Sequence, residues 1–197
     1  MRFQVLLLTA LWATGVLSGS WLLYRYKSMP GRAGPSPITW PADSGVRPAH
    51  ERPLLIVFIH PRCPCSRATI DGLAQLAARC PKQVDVCVFV FKPSGSDATW
   101  ERTDLWQSAE QIPGLTVLTD LDGAEAHRFA VETSGHTLLY DRQGTLQFSG
   151  GITGSRGHAG DNAGLSAVEA AIGGVTPKVR RTPVFGCPIF NENKPTR

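Results

Sequence analysis

The chain has 197 residues, of which 42% are hydrophobic and 18% charged, and its formal net charge at pH 7 is +4. This composition is that of a globular protein with room for one ordinary domain, and it excludes a chain that is disordered throughout. The lysines and arginines are scattered, with no basic stripe interleaved with aromatic residues, so the sequence does not support nucleic-acid binding.

The first predicted element is an apolar segment, residues 3–24, that contains no charged residue. A helix of that length can cross a hydrocarbon core about 30 Å thick. The alternative is a cleaved signal peptide, with the small residues 18–20 as its processing site. Because the large apolar residues 21–23 follow that site directly, we predict that residues 1–27 form an uncut transmembrane anchor, with a signal peptide as the alternative.

Basic residues flank both ends of this anchor. Arg2 precedes it, whereas Arg25, Lys27 and Arg32 follow it, and the positive-inside rule taken alone would leave the following domain in the cytoplasm. Segments of this kind near the N-terminus often export the domain behind them, and the cysteine chemistry described below suits an oxidising compartment. We therefore predict a single-pass membrane protein whose soluble domain is extracytoplasmic, as in the periplasm.

The next segment, residues 28–52, is rich in proline and shows no hydrophobic period up to residue 48. Such a composition is typical of a semi-extended linker. We predict that it holds a domain formed by residues 53–175 away from the membrane, and that residues 176–197 form a C-terminal tail containing Cys187.

Within the predicted domain, short apolar runs alternate with segments of helical periodicity. Strands are predicted at residues 54–60, 84–91, 115–119, 136–141 and 145–149, and helices at residues 66–79, 98–111, 123–130 and 163–172. Ser66 is the predicted N-cap of the first of these helices. The order of elements predicts an α/β fold, in which a mixed sheet with a parallel part and an antiparallel edge is flanked by helices on both faces.

Two cysteines lie where the first predicted strand meets the first helix of the domain, in the sequence FIHPRCPCSRAT at residues 58–69. Ligands and reactive groups of such sheets gather at the carboxyl ends of strands. A helix N-terminus favours a thiolate over a thiol, and Arg62 and Arg67 would act in the same direction. The pattern therefore predicts that Cys63 is an acidified sulfur, displayed at the mouth of the sheet and reachable by partners, with Cys65 beside it.

The segment 54–151 resembles the thioredoxin-like superfamily, especially its membrane-anchored, extracytoplasmic members of the TlpA and ResA type. Those proteins carry a Cys-Pro-Pro-Cys-Arg-Ala-Glu turn after the first strand of the core. In an ungapped comparison Cys63 takes the place of the attacking cysteine, whereas Ser66 stands where the resolving cysteine would be and Cys65 lies one position earlier. The CPCS turn and the later TPVFGCP segment are also similar to those of RedB-like proteins. The family's cis-proline is missing, and Gly135 or His136 occupies its place.

The resemblance implies a thiol-disulfide oxidoreductase that exchanges disulfides with protein or small-molecule thiols and needs no organic cofactor. Cys63 would attack, and Cys65 or Cys187 would resolve the mixed disulfide. A disulfide across Cys-X-Cys would be strained and easily reduced. Cys187 could equally be a free thiol of the tail, because five cysteines leave one without a partner.

Two further functions stay open from the sequence. The thioredoxin-like SCO copper proteins use two cysteines of this turn and a later histidine, which implies a copper(I) carrier that uses Cys63, Cys65 and His136, with His60 as another nearby candidate ligand. A redox-inactive thioredoxin-fold adaptor is the third hypothesis.

The other cysteines and the glycine-rich loop have simpler interpretations. Cys80 and Cys87 are interpreted as structural residues, with a mutual disulfide as the remaining option. The loop 149–164 lacks the spacing of a phosphate-binding loop, and we expect it to place Arg156 and His158 beside the cysteines.

Overall fold

The computed structural model describes residues 2–48 and 51–190. The chain begins with the helix α1 (Arg2–Ser28), in which no residue is buried. An 18-residue window of this helix has a mean hydropathy of 1.6, so the helix is long and apolar enough to cross a membrane. A signal sequence near the N-terminus would share both properties.

The remaining elements alternate along the chain before ending in an antiparallel pair of strands and a helix. They are β1 (Leu54–Ile59), α2 (Ser66–Arg79), β2 (Asp85–Lys92), α3 (Asp104–Glu110), β3 (Leu115–Leu121), α4 (Ala124–Arg128), β4 (His136–Tyr140), β5 (Leu146–Gly151) and α5 (Ala163–Ile172).

The five strands form one sheet in the order β3-β2-β1-β4-β5. The first three strands are parallel, and β4 runs antiparallel to both β1 and β5. Every residue of β1 is buried, as expected for a continuous apolar run at the centre of a sheet. The predicted mixed α/β sheet flanked by helices is therefore confirmed.

Two hydrophobic clusters form the core. The larger contains residues of α2, α3 and α5, such as Leu73, Trp106 and Val168, and the smaller contains Phe58, Phe129 and other residues. Adjacent residues of β1 contribute to different clusters, because successive side chains of a strand point to opposite faces of the sheet. The two clusters therefore cover the two faces, and the ends of the strands remain available for a functional site.

The helix α3 is shorter than predicted, because the residues before it form turns. The backbone N–H of Trp100 donates to the carbonyl of Asp97 at 3.1 Å, and that of Arg102 to Thr99 at 3.0 Å. The buried Glu101 carboxylate pairs with Lys92 of β2 at 2.8 Å. This ion pair joins the end of β2 to the turns before α3, and helical periodicity does not reveal it.

The proline-rich segment lies against the domain instead of holding it away. Arg32 pairs with Glu132 at 2.7 Å, the hydroxyl of Ser36 lies 2.9 Å from that of Ser149, and the indole ring of Trp40 contacts the ring of Tyr140 with 5.1 Å between centroids. The C-terminal segment also packs, since Val184 and Ile189 are buried. Both segments extend the body formed by the domain.

Candidate functional site

The turn between β1 and α2 presents two cysteines at the start of a helix. The N–H of Cys63 donates to the carbonyl of His60 at 3.0 Å, and the N–H of Ser66 donates to the carbonyl of Cys63 at 3.1 Å. The residue in the N-cap position is Cys65, which has no side-chain capping bond, so the prediction of Ser66 as the cap is wrong. The hydroxyl of Ser66 instead lies 2.7 Å from that of Ser134, in the loop before β4.

Three sulfurs converge at this turn. The Sγ atoms of Cys63, Cys65 and Cys187 all lie within 4.8 Å of one another. The N–H of Cys187 is also directed at the sulfur of Cys63, at 3.4 Å. The structure therefore brings together the three cysteines that the sequence singled out, although Cys187 lies 124 residues after Cys63.

Cys187 reaches the turn because its segment pairs with the loop before β4. The N–H of Ser134 donates to the carbonyl of Cys187 at 2.8 Å, and the N–H of Ile189 donates to the carbonyl of Glu132 at 2.9 Å. At Gly186 a Cβ atom would lie 1.8 Å from the carbonyl oxygen of Ser134, so only glycine allows this approach. Backbone bonds at Cys187 and two residues after it thus fix the position of Cys187.

This segment also covers the turn, which corrects one expectation. Cys63 is only 1% exposed and Cys65 is 6% exposed, whereas Cys187 is half-buried. The sequence predicted that the sulfur of Cys63 is displayed to solvent, but the chain's own tail lies against it. Nothing in the spacing of the cysteines indicates such a cover, because the tail follows the last predicted helix.

Burial and hydrogen bonding act in opposite directions on Cys63. Burial alone would raise the pKa of its thiol, but hydrogen bonds from the Ser66 hydroxyl, from the backbone N–H groups of Cys187 and Ser66, and from the Cys187 thiol lower it, and the net result is a lowered pKa. The bond from the Ser66 N–H comes from the first turn of α2, as the sequence predicted for a sulfur at a helix start.

The other two thiols hold their protons more tightly. Burial, together with the neighbouring Cys63 sulfur, raises the pKa of Cys187 to about 12. Burial and the charge of Cys63 also raise the pKa of Cys65, although the nearby Arg156 guanidinium opposes them. Among the three sulfurs, Cys63 is therefore the one whose charged form is favoured, and the Cys187 thiol donates to it.

The two arginines expected to acidify the site have other partners. The guanidinium of Arg62 lies over the ring of Trp100, 4.6 Å from its centroid. Arg67 pairs with Asp104 at the start of α3. Hydrogen bonds to the sulfur, and not these two charges, account for the lowered pKa of Cys63. Arg156 does lie beside the cysteines, as predicted for its loop, and its Nη1 donates to the carbonyl of Gly186 at 2.6 Å.

The loop before β4 has no cis peptide bond among the described residues. Gly135 has a φ of +89°, and its N–H donates to the carbonyl of Phe58 at 2.7 Å. Proline has a φ near −65° and no N–H, so it could not replace Gly135 without changing this loop. The loop therefore follows a backbone path that a proline at position 135 could not adopt.

The candidate histidines do not join the three sulfurs. His136 is fully buried, its Nε2 lies 2.9 Å from the Ser149 hydroxyl, and burial lowers its pKa to about 4. His60 accepts a hydrogen bond at Nδ1 from the Arg62 N–H at 3.2 Å. Its ring also stacks on Phe91, with 5.7 Å between centroids. Among the described residues Cys187, and not His136, completes the group that could hold a metal ion.

Cys80 and Cys87 are free and buried, as expected for structural cysteines. Cys80 belongs to the larger hydrophobic cluster and Cys87 to the smaller one, on the other face of the sheet. They therefore do not form the mutual disulfide that the sequence left open.

Solved structures of other proteins share the fold of most of this chain. No protein-family model matches this chain, and no curated protein matches it significantly. An uncharacterised conserved protein of Geobacillus kaustophilus has a TM-score of 0.59 at 19% identity, over 86% of this chain and 94% of its own. A hypothetical protein of Sinorhizobium meliloti 1021 has a TM-score of 0.58 at 20% identity, over 82% of this chain and 93% of its own.

A thioredoxin-like protein of Aeropyrum pernix superposes less closely, with a TM-score of 0.46 at 15% identity over 84% of this chain and 99% of its own. The sheet order, with three parallel strands, an antiparallel pair and a cysteine turn after the central strand β1, is that of the thioredoxin-like class. The fold of this protein is thioredoxin-like.

Proposed function

We propose that this protein is a membrane-tethered thiol-disulfide oxidoreductase whose reactive sulfurs are Cys63 and a second cysteine of the cluster. The observation that supports the proposal is the convergence of three sulfurs within 4.8 Å at the start of α2. The convergence depends on Gly186, since a Cβ there would lie 1.8 Å from the carbonyl oxygen of Ser134.

Thiol-disulfide exchange needs a thiolate and a second sulfur that can replace the partner's sulfur. Cys63 supplies the thiolate, since several hydrogen bonds stabilise its charged form. Cys187 is better placed than Cys65 as the second sulfur. Only Pro64 separates Cys63 from Cys65, so a bond between them closes a strained ring, whereas Cys187 comes from a distant segment and is free of that constraint.

The tether in this proposal is α1, and the domain lies on the extracytoplasmic side. An oxidising compartment allows a disulfide to persist, whereas cytoplasmic thiols would keep the cluster reduced. A C-terminal reporter that is active only outside the cytoplasm tests the orientation. Activity of a reporter that works only inside the cytoplasm would contradict it.

The redox proposal is tested by counting thiols in the full-length chain in detergent. Five thiols are expected in the reduced protein. Mild oxidation should remove two of them, and a dithiol should restore both. No loss of thiols under any mild oxidant would contradict the proposal and would favour the redox-inactive adaptor.

A matched pair of variants shows which sulfur carries the reaction. Cys63→Ser removes the thiolate and leaves two thiols of raised pKa, so the rate of disulfide formation at pH 7 should fall at least about tenfold, the change in thiolate fraction for one unit of pKa. Cys80→Ser, also a buried cysteine, should oxidise at the parent rate. Equal rates for the two variants would remove Cys63 from the reaction.

The same cluster supports a second candidate, copper(I) binding. Thiolates are the ligands that Cu(I) prefers, and the group that could hold an ion is Cys63, Cys65 and Cys187. Titration of the reduced full-length protein against a Cu(I) chelator distinguishes this function. Retention of one Cu(I) per chain that is lost in Cys187→Ser and kept in Cys80→Ser would support it, and release of all copper to the chelator would exclude it.

A further inference from the structure

The three sulfurs of the cluster differ in how closely the chain covers them. Cys63 is 1% exposed and Cys65 is 6% exposed, and Cys187 is the least covered of the three. Disulfide exchange requires the sulfur of an external molecule to reach the protein sulfur with which it forms a bond. Cys187 is therefore the most accessible of the three cysteines, although Cys63 is the one whose charged form is stabilised by hydrogen bonds.

The cover over Cys63 is firmly attached. Before Cys187, the N–H of Gly31 donates to the carbonyl of Val184 at 2.8 Å, and after it the N–H of Ile189 donates to the carbonyl of Glu132. Nearer the start of this segment, the hydroxyl of Thr182 donates to the carbonyl of Gly151 at 2.7 Å. The apolar side chains of Val184 and Ile189 are also buried, so displacement of this segment would expose them to water. A partner therefore meets the segment in place and not an open Cys63.

The side of this segment that faces solvent offers room for a partner. Gly186 and Pro188, the neighbours of Cys187, line a groove with a volume of about 260 Å³. The other walls of this groove include Arg32, Glu132 and Arg156. A thiol-bearing molecule lying there would contact the residues on either side of Cys187.

We infer that Cys187 is the sulfur that exchanges with external thiols and disulfides, and that Cys63 is the inner sulfur with which it pairs. This inference rests on the proposed function and specifies the order of its steps. It reverses the roles that the resemblance implied, in which Cys63 attacks the partner and Cys65 or Cys187 resolves.

The exchange proceeds in two steps from a Cys63–Cys187 disulfide. A partner thiolate attacks the Sγ of Cys187 and bonds to it, and the Sγ of Cys63 leaves with the electron pair as a thiolate that accepts from the Cys187 N–H at 3.4 Å. A second thiolate of the partner then attacks the partner's bonded sulfur, and Cys187 leaves and takes a proton from water. The partner loses two electrons and becomes a disulfide, while the protein gains them as two reduced cysteines.

The reverse direction uses the same atoms. The thiol of Cys187 gives its proton to the Cys63 sulfur and attacks a partner disulfide, and the partner's leaving sulfur takes that proton from Cys63. Cys63 then attacks the sulfur of Cys187 in the mixed disulfide, and the partner's second sulfur leaves and takes a proton from water, which releases the partner as a dithiol. Cys65 takes no part in either direction. The variant Cys65→Ser serves as the background for the mapping, because it leaves Cys63 and Cys187 as the two thiols of the cluster.

The sequence allows the reacting sulfur to be identified directly. Trypsin cleaves after Arg62, Arg67 and Arg181, so Cys63 and Cys187 fall in different peptides. The full-length Cys65→Ser protein is oxidised, treated briefly with reduced glutathione, quenched with acid and digested without reduction. Mass spectrometry should find glutathione on the Cys187 peptide at least about ten times more often than on the Cys63 peptide, as expected when access controls the reaction. A predominance of glutathione on Cys63 would overturn the inference.

A second pair of variants tests access in the reduced protein. In the Cys65→Ser background, Cys63→Ser leaves Cys187 as the one thiol of the cluster, and Cys187→Ser leaves Cys63 beneath an otherwise intact cover. Oxidised glutathione should form a mixed disulfide faster in the first variant than in the second. If the acidity of Cys63 and not its access determines the rate, the second variant should react faster than the first. That result would refute the inference.

Failure of the inference differs from failure of the proposed function. If two thiols are lost and restored reversibly but glutathione bonds to Cys63, the oxidoreductase proposal stands and only the order of sulfurs is wrong. If no disulfide is found between the Cys63 and Cys187 peptides or within the Cys63–Arg67 peptide, the inference and the proposed function are both wrong. Repetition of the mapping with Cys65→Ala guards against an effect of the serine hydroxyl.

Discussion

The hydroxyl of Ser66 lies 2.7 Å from the hydroxyl of Ser134, and this buried contact joins the start of α2 to the loop before β4. Ser134 also accepts a hydrogen bond from the His60 N–H at 2.7 Å. Each hydroxyl has one proton to donate, so if Ser66 donates to the sulfur of Cys63, Ser134 must donate to Ser66. The backbone at the end of β1 thereby supports the charge on Cys63 through two serines.

Ser66→Ala should therefore raise the pKa of the Cys63 thiol, because it removes one of the donors that stabilise the thiolate. The thiolate absorbance near 240 nm, measured against pH and corrected with Cys63→Ser, reports this pKa. We also expect a loss of about 1–3 kcal/mol of stability, since Ser134 loses its buried partner. Ser166→Ala, at an exposed position of α5, is the control and should change neither quantity. An unchanged thiol pKa in Ser66→Ala would show that the hydroxyl does not stabilise the thiolate.

Gly186→Ala should separate Cys187 from Cys63. The added Cβ would lie 1.8 Å from the carbonyl oxygen of Ser134, so the tail must move away from the loop that holds it. We expect slower formation of the Cys63–Cys187 disulfide and faster alkylation of Cys63 by iodoacetamide. Gly173→Ala is the matched control, because its Cβ would meet only atoms 3.5 Å or more away. Equal alkylation rates in the two variants would contradict the covering role of the tail.

Gly135→Pro should destabilise the protein strongly. The φ of Gly135 is +89°, which proline cannot adopt, and the substitution also removes the N–H that donates to Phe58. We expect a loss of about 3 kcal/mol or more in chemical denaturation, an amount typical of proline where it removes a backbone bond. Gly135→Ala keeps the N–H and should lose less. A proline variant as stable as the parent would mean that this loop can adopt a different backbone path.

His136 should make stability depend on pH. Burial lowers its pKa from 6.5 to about 4 in the folded protein, so the folded state binds fewer protons than the unfolded state between these values. Stability from this group is fully present above pH 6.5 and is lost as the pH falls toward 4, by up to about 3 kcal/mol.

The comparison that isolates this effect is His136→Gln. Urea denaturation of both proteins between pH 4 and pH 7.5 gives the difference in stability at each pH. The advantage of the parent over the variant should shrink as the pH falls. A difference that does not vary with pH would show that His136 does not titrate as its burial requires.

Local patterns in the sequence predicted the elements of the fold well. The bounds of α2 and α5 agree with the helical periodicity, and the apolar run of β1 is buried throughout. These features depend on residues that are close in sequence. The start of α3 was predicted too early, because the residues before it form turns in which Glu101 pairs with Lys92 of β2, and periodicity does not show this contact.

The candidate site was only partly predictable for the same reason. The position of Cys63 and Cys65 at a helix start follows from the alternation of strand and helix. The choice between Cys187 and His136 as the third group could not be made from the sequence. It depends on the pairing of the tail with Ser134 and on the bond between His136 and Ser149, and both are tertiary contacts.

Arg156 joins this site to the end of α1. Its backbone N–H donates to the carbonyl of Lys27 at 3.1 Å and its Nε to the carbonyl of Met29 at 3.1 Å. If α1 lies in a bilayer, these bonds hold the domain, and the three sulfurs with it, close to the end of the helix and therefore near the membrane surface. In that arrangement the sulfurs react with molecules that lie near the lipid headgroups. The expected partners are then other membrane proteins or molecules concentrated at that surface.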